Sequence, residues 1–389
     1  MNIISTSEHY WLVLGVVSAT LVGVGFISSD RPIAHGFFCA AASAAESNIE
    51  ERGSFDMSPG VVVDLAAERL YLMSSKGGID AIGLASGNLL WTSKAAGKPL
   101  AVFDDRLAAQ ADAVGGSNSL PIVLLDTKSG RVVSNIAVPM PAGAMAPSIN
   151  DGLGTKSSVE VRVVPGTPSS FSSFDALLVS WAIVSRAMRP IPGPEKVQNY
   201  SGAALISLQT YKATTLATDQ AEAMRRDKTA TAMPRLSGTE GLYFPPQRAG
   251  GLFVSVKLGS ASVGQPAVLK RWSADSGEPQ PDIDLGSGFV SYSVSADHSL
   301  FLAVSNSTTP GSDYLWSLYE IAEGKRVAEV RLPDSASPFF VWHSILIYQA
   351  MAAGEEPRRM RGLNLKTGTE IWTRALRDTA YHGSYPARP

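Results

Sequence analysis

Apolar and polar residues alternate along this chain with a period of two, in short runs bounded by Gly, Pro, Asn, Asp and Ser. That is the pattern of half-buried β-strands joined by tight turns, not of helices. The runs come in pairs: GVVVDLA with RLYLMSS, PLAVFDD with RLAAQADAV, FVSYSVSAD with SLFLAVSN, and PFFVWHS with LIYQAMA.

After each pair comes a phrase that recurs. IDAIGLASGNLLW at 79–91 is nearly repeated as MRGLNLKTGTEIW at 360–372. Related segments are anchored on Gly87, Gly130, Gly277, Gly324 and Gly368, with a sixth copy in which Tyr211 replaces the glycine. Five residues before the anchor stand Ile82, Leu125, Ile206, Trp272, Tyr319 and Leu363, and three after it stand Leu90, Val133, Val327 and Ile371. The spacing predicts a β-hairpin, in which glycine takes the positive-φ position of the turn. Trp91 and Trp372, four residues after their glycines, are large plates suited to packing between stacked sheets.

Successive anchors lie 43, 81, 66, 47 and 44 residues apart. The short intervals match one four-stranded propeller blade. In the two longest, VEVRVV and ALLVSWAIV predict one decorated blade with a surface loop over Arg189–Gly202, and Thr218–Arg235 a short amphipathic helix or a solvated connection. The expectation is all-β: a β-propeller of four-stranded blades, six rather than seven, over residues 59–376, with the phrases at 79–91 and 360–372 as inner hairpins of the first and last blades. A C-terminal tail follows at 377–389, with Tyr381 and Tyr385 as further docking candidates.

Ahead of the propeller, Tyr10–Ser29 carries no charge and is long enough to span a bilayer. Ala42-Ser43-Ala44 resembles a leader cleavage site. Residues 1–45 are therefore read as a signal peptide or membrane anchor, and 46–58 as a linker, which places the protein outside the cytoplasm. No Lys or Arg precedes the apolar run, a departure from both leader patterns.

Composition narrows the chemistry. Charged residues make up 17% and the formal net charge is −2, so there is no electrostatic footprint for nucleic acid. The one cysteine, Cys39, falls in the leader, which excludes an intramolecular disulfide and a cysteine-based zinc site. Gly36-Phe37-Phe38 before it lacks the small residues of a lipid-attachment site.

The phrases IDAIGLASGNLLW, LLDTKSGRVV and LNLKTGTEIW resemble the blade signature of the PQQ-like β-propeller superfamily, which includes quinoprotein dehydrogenases and the lipoprotein of the bacterial barrel-assembly machine. SVSADHSLFLAVS at 293–305 resembles a strand phrase of WD40-like propellers. For a quinoprotein dehydrogenase the resemblance implies PQQ, vicinal cysteines and a calcium held by acidic and amide side chains. The cysteine pair is impossible here, no acidic run resembles a calcium loop, and Asp104-Asp105 reads as a polar turn. Neither PQQ nor calcium is expected.

None of the five histidines has a partner at metal-ligand spacing; His298 reads as a turn residue and His343 as a strand residue. No serine-hydrolase elbow occurs, and Gly115-Gly116 reads as a hairpin turn. The densest charge is Glu355-Glu356-Pro357-Arg358-Arg359-Met360-Arg361, a surface loop in which Arg358, Arg359 and Arg361 are the candidate contacts for an acidic partner. The functional expectation is a non-catalytic propeller scaffold for protein–protein contact at a membrane-associated complex. The alternative is a propeller enzyme, quinoprotein-like or a hydrolase or lyase, with an axial site.

Overall fold

The computed structural model describes residues 52–376, leaving aside 56–59, 113–117, 142–148, 150–154, 166–173, 187–196, 226–233, 260–264, 307–312, 334–335 and 351–357. The leader, the C-terminal tail, Gly115-Gly116 and Glu355-Glu356-Pro357 lie outside the described residues. Almost every element is a strand, paired antiparallel into six sheets.

The first strand is β1 (Arg52–Ser54). Blade 1 follows as β2 (Val61–Asp64), β3 (Arg69–Met73), β4 (Ile79–Gly83) and β5 (Leu89–Ser93), and blade 2 as β6 (Lys98–Phe103), β7 (Arg106–Gln110), β8 (Ser119–Asp126) and β9 (Val132–Pro139). Blade 3 comprises β10 (Thr155–Pro165), β11 (Phe174–Arg186), β12 (Val197–Ser207) and β13 (Ala213–Leu216), followed by the helix α1 (Thr218–Arg225). Blade 4 is β14 (Gln247–Ala249), β15 (Leu252–Lys257), β16 (Ala267–Ser273) and β17 (Pro279–Gly286). Blade 5 is β18 (Phe289–Val294), β19 (Leu300–Ser305), β20 (Tyr314–Glu320) and β21 (Lys325–Leu332). Blade 6 is β22 (Ala336–Trp342), β23 (Ile345–Ala350), β24 (Arg359–Asn364) and β25 (Thr369–Ala375).

Each sheet holds its strands in sequence order, so every blade is a meander. Alternation along each strand gives a blade two apolar faces, and these pack on the neighbouring blades. Leu107, Val123 and Leu125 of blade 2 meet Tyr71 and Ile79 of blade 1, while Phe301 and Tyr319 of blade 5 meet Val254 and Leu269 of blade 4. Between the last blade and the first, Phe339, Trp342 and Trp372 pack with Leu70, Ile82 and Leu84. On blade 3, Ala221 of α1 covers Leu178 and Ala203. Packing of the last blade on the first is how a propeller covers its terminal sheet edges.

Four expectations are corrected. The repeated phrase is the third and fourth strand of a blade, and the fourth strands are the exposed ones: β5 and β25 keep most residues open to solvent while β2 and β22 are largely buried. The phrase is thus the outer hairpin, not the inner one. Residues 197–202, expected within a loop, are strand, because β12 pairs with β11 along its whole length from Arg186 opposite Val197. His343 sits in the β22–β23 turn with φ 42° instead of inside a strand. The stretch read as a linker contributes β1, which pairs with β22, and Phe55, which is buried among Leu300, Val341 and Leu346.

The anchor glycines have the conformation expected of them: φ is 63° at Gly87, 68° at Gly130, 72° at Gly277, 69° at Gly324 and 68° at Gly368, and Tyr211 adopts 55° in the same place. At two junctions the glycine has a second reason. Trp372 donates its indole N–H to the Leu84 carbonyl at 2.9 Å, and Trp91 does the same to the Thr127 carbonyl at 2.9 Å, each three residues before the next blade's glycine. A Cβ on Gly87 would come within 2.4 Å of Trp372, and one on Gly130 within 2.5 Å of Trp91. The tryptophan of one blade therefore clasps the turn of the next, and only glycine leaves room.

Blade 4 has Pro281 where the tryptophan would stand. Arg271 takes its place, donating to the Pro281 carbonyl from Nε at 3.1 Å and Nη2 at 2.8 Å, and to the Ile321 and Ala322 carbonyls at 2.8 and 3.0 Å. Burial lowers the pKa of this guanidinium, which stays a cation as arginine does in proteins. Among the described residues, no helix is long and apolar enough to cross a membrane.

Candidate functional site: a polar cleft between blades 4 and 5

Antiparallel order sorts the connections onto two faces. First-to-second and third-to-fourth strand turns lie on one face, and most are tight, as at 65–68, 104–105, 274–278, 321–324 and 365–368. The strand ends on the opposite face are the ones separated by longer stretches of sequence, as from Leu216 to Gln247, Lys257 to Ala267, Ser305 to Tyr314 and Ala350 to Arg359. Length variation is therefore concentrated on one face, where it leaves the blade cores undisturbed.

Neighbouring blades touch near the axis and diverge outward, so the seam between two blades is apolar inside and open outside. Between blades 4 and 5 it opens into a cleft of about 660 Å³ lined by Asp282–Ser287 on one wall and by β20 and β21 on the other. Register places Tyr319 opposite Arg326, Ser317 opposite Glu329 and Leu315 opposite Arg331. The same alternation that buries Phe301 and Ala303 deeper in the seam thus brings these polar side chains into its mouth.

The charges are largely matched within the walls. Lys270 Nζ lies 2.6 Å from Asp282 Oδ2, Arg326 pairs with Glu329, and Ser317 Oγ donates to Glu329 Oε2 at 3.4 Å. Tyr319 donates its hydroxyl to the Asp284 carbonyl at 3.2 Å, and burial raises its pKa, so the phenol remains a neutral donor at physiological pH. Asp284 Oδ1 accepts the Gly286 N–H at 2.7 Å. This set offers carboxylates, guanidinium groups and hydroxyls for hydrogen bonding; a serine beside a carboxylate without a histidine between them is not an activated nucleophile.

Further in, the same seam holds a stack of rings. Phe244 and Tyr292 are stacked at 4.4 Å, Tyr292 and Phe301 at 5.6 Å, and Tyr243 meets Tyr292 edge-on at 6.5 Å. Burial, then the neighbouring Tyr243, raises the Tyr292 pKa. Among the described residues, no three His, Cys, Asp or Glu side chains come together as a metal site.

The arginines expected as contacts are on blade 6, away from this cleft. Arg358 and Arg359 are half-buried at the long-connection end of β24, where the Arg358 carbonyl accepts the Leu376 N–H at 2.7 Å. Arg361 reaches across to Glu370 at 2.9 Å, and its Nε is buried without an acceptor. His298 is in the β18–β19 turn with φ 56°, and the His343 ring lies 4.4 Å from Trp342. Asp104 and Asp105 form the expected turn, with Asp105 ion-paired to Arg106 at 2.6 Å. The cleft itself was missed: its residues are ordinary strand residues in sequence, and only register brings them together.

In sequence, residues 46–175 match the family described as "Outer membrane protein assembly factor BamB", a span that covers blades 1 and 2 and enters blade 3. No curated protein matches the chain. Among solved structures, AtxE2 isopeptidase is similar with a TM-score of 0.40 at 12% identity, over 85% of this chain and 52% of that one. BamB from Moraxella catarrhalis gives 0.22 at 12% identity, over 81% of this chain and 73% of that one. Dihydro-heme d1 dehydrogenase NirN gives 0.33 at 12% identity, over 83% and 67%. The described residues form a β-propeller of six four-stranded blades, and residues 46–175 match the model of the BamB assembly factors.

Proposed function

We propose that the protein is a non-catalytic, extracytoplasmic propeller scaffold that makes protein–protein contacts as an accessory subunit of a membrane-associated complex. The observation that carries this reading is the match of residues 46–175 to a family named for an outer-membrane assembly factor. The geometry agrees with it. The longer stretches of sequence join strand ends of one face, the cleft between blades 4 and 5 offers matched charges and donors suited to a polypeptide, and β1 occupies the edge of β22 opposite β23. Arg358 and Arg359, at the long-connection end of blade 6, are the proposed secondary contacts.

The test is affinity purification of the tagged protein from native membranes in mild detergent, with mass spectrometry of its partners and its N-terminus and an absorbance scan. The reading expects a stoichiometric membrane-complex partner without a chromophore, and a weaker partner yield from Arg358→Glu/Arg359→Glu. A solitary protein carrying a quinone or a metal would overturn it.

A further inference from the structure

Leu90, Val133, Val327 and Ile371 stand three positions after four of the five anchor glycines, and all but Val327, which packs against the core between blades 5 and 6, are left outside the core. Leu90, Val133 and Ile371 each fall where the register of the outer hairpin slips, between Ala81 and Ile82, Leu124 and Leu125, and Gly362 and Leu363. The extra residue is a β-bulge that turns the strand so that the next residue, Trp91 or Trp372, swings into the neighbouring blade. The bulged side chains stay outside, with 49% of Leu90, 37% of Val133 and 41% of Ile371 exposed.

They are not scattered. Blades 6, 1 and 2 are consecutive around the closed ring, and Leu89, Leu90, Val132, Val133 and Ile371 sit at the tight-turn end of their outer strands, with Leu65 on the same face of blade 1. The clasps draw the three hairpins together, Trp372 onto Gly87 and Trp91 onto Gly130. The other exposed group, Tyr243, Leu258 and Val290, belongs to blades 4 and 5 at the opposite face. An apolar rim of this kind marks a binding surface in a soluble fold.

Charge names the occupant. The outer hairpins of blades 6, 1 and 2 carry exposed Lys366, Arg374, Lys128 and Arg131 and half-buried Arg359 and Arg361, against exposed Glu370 and half-buried Asp80 and Asp126. The hairpins of blades 4 and 5 carry Asp275, Glu278, Asp282, Asp284, Glu320, Glu323 and Glu329 against Lys270, Arg271, Lys325, Arg326 and Arg331. The acids Glu68, Asp104 and Asp105 of the same face are on inner turns. Aliphatic side chains ringed by lysine and arginine suit an anionic bilayer surface. The bulges also disfavour a strand partner, because they bend the edge away from pairing. The strand β1 begins on this face, since Arg52 is opposite Val341 beside the β22–β23 turn.

We propose that the tight-turn rim of blades 6, 1 and 2 rests on an anionic lipid surface, leaving the long-connection face free. The proposal takes its membrane setting from the scaffold reading but not its evidence. In the full chain with Cys39→Ser, an environment-sensitive fluorophore on Leu90→Cys, Val133→Cys or Ile371→Cys is compared with one on Leu258→Cys, after reconstitution into phosphatidylcholine vesicles with and without phosphatidylglycerol. The expected result is a blue shift and quenching by bilayer nitroxides at the three rim sites only, dependent on the anionic lipid. Arg131→Ala should lower the equilibrium constant for contact, read from the shifted fraction, roughly fivefold. Aqueous emission at all four sites overturns the proposal, and if the partner still co-purifies the scaffold reading stands without it. A rim shift that appears without vesicles and grows with protein concentration also overturns it, and identifies a second copy as the occupant.

Discussion

Four anchor glycines have nearly the same backbone conformation and different surroundings, so alanine at each separates the cost of the turn from the cost of the clasp. Every Gly→Ala replacement here places a Cβ at positive φ, which costs about 1–2 kcal/mol. At Gly368 nothing else is within 4 Å of the new atom, so that is the whole expected loss. At Gly87 the Cβ would be 2.4 to 2.8 Å from the Cγ, Cβ and Cδ2 of Trp372, atoms close to the backbone that cannot swing aside, and the indole is held by Leu84. Overpacking of that kind adds about 1–3 kcal/mol. Gly130 should behave like Gly87, since the Trp91 ring would be 2.5 Å away. Gly324 should fall between, because its neighbour at 2.7 Å is the end of Arg271, flexible in itself but tied to three carbonyls. Urea unfolding followed by far-ultraviolet circular dichroism orders the variants. Gly87→Ala and Gly368→Ala agreeing within about 0.5 kcal/mol would refute the clasp.

Other predictions follow from the same contacts. Trp372→Ala should cost about 3–5 kcal/mol in the same assay, whereas Trp372→Phe should lose mainly the hydrogen bond to Leu84, about 1 kcal/mol. Arg271→Met should destabilise by about 2–3 kcal/mol, because the Ile321 and Pro281 carbonyls lose a charged donor, and Arg271→Lys should recover little of it. Hydrogen bonds from the Ser129 hydroxyl and then the Ser129 and Lys128 amides hold the Asp126 pKa below its ordinary 3.8, so its contribution is complete above pH 3.8 and is lost as pH falls through the lower folded value. Asp126→Asn should flatten the acid limb of the stability profile over that window. Ile371→Ser should change stability by less than about 0.5 kcal/mol, as suits a side chain left outside the core.

Much of the fold is written locally and was legible. A glycine with a short polar turn before it and an apolar residue five positions upstream encodes a hairpin through backbone sterics alone, and the intervals between such hairpins encode blades. What stayed hidden depends on register. Nothing near Leu90 says that it is a bulge residue on an outer edge, because periodicity reports which residues share a face and not which strand of a sheet lies nearest the axis. Arg271 looks like an ordinary strand arginine until Pro281 and Ile321 are seen around it. Arg52–Ser54 is too short a run to announce a strand, and becomes one only because β22 offers it an edge. The cleft residues Asp284, Ser317, Tyr319 and Glu329 are spread over two blades and carry no motif.

The central claim is that a closed propeller uses one side for a protein partner, not for chemistry at its axis. Hydrogen–deuterium exchange on the protein alone and on the purified complex tests it most directly. The account predicts protection in 279–288 and 314–331, on the walls of the cleft, and at the long-connection end of blade 6. Protection confined to the inner strands β2, β6, β14 and β18, produced by a small molecule and unaffected by a protein partner, would contradict it.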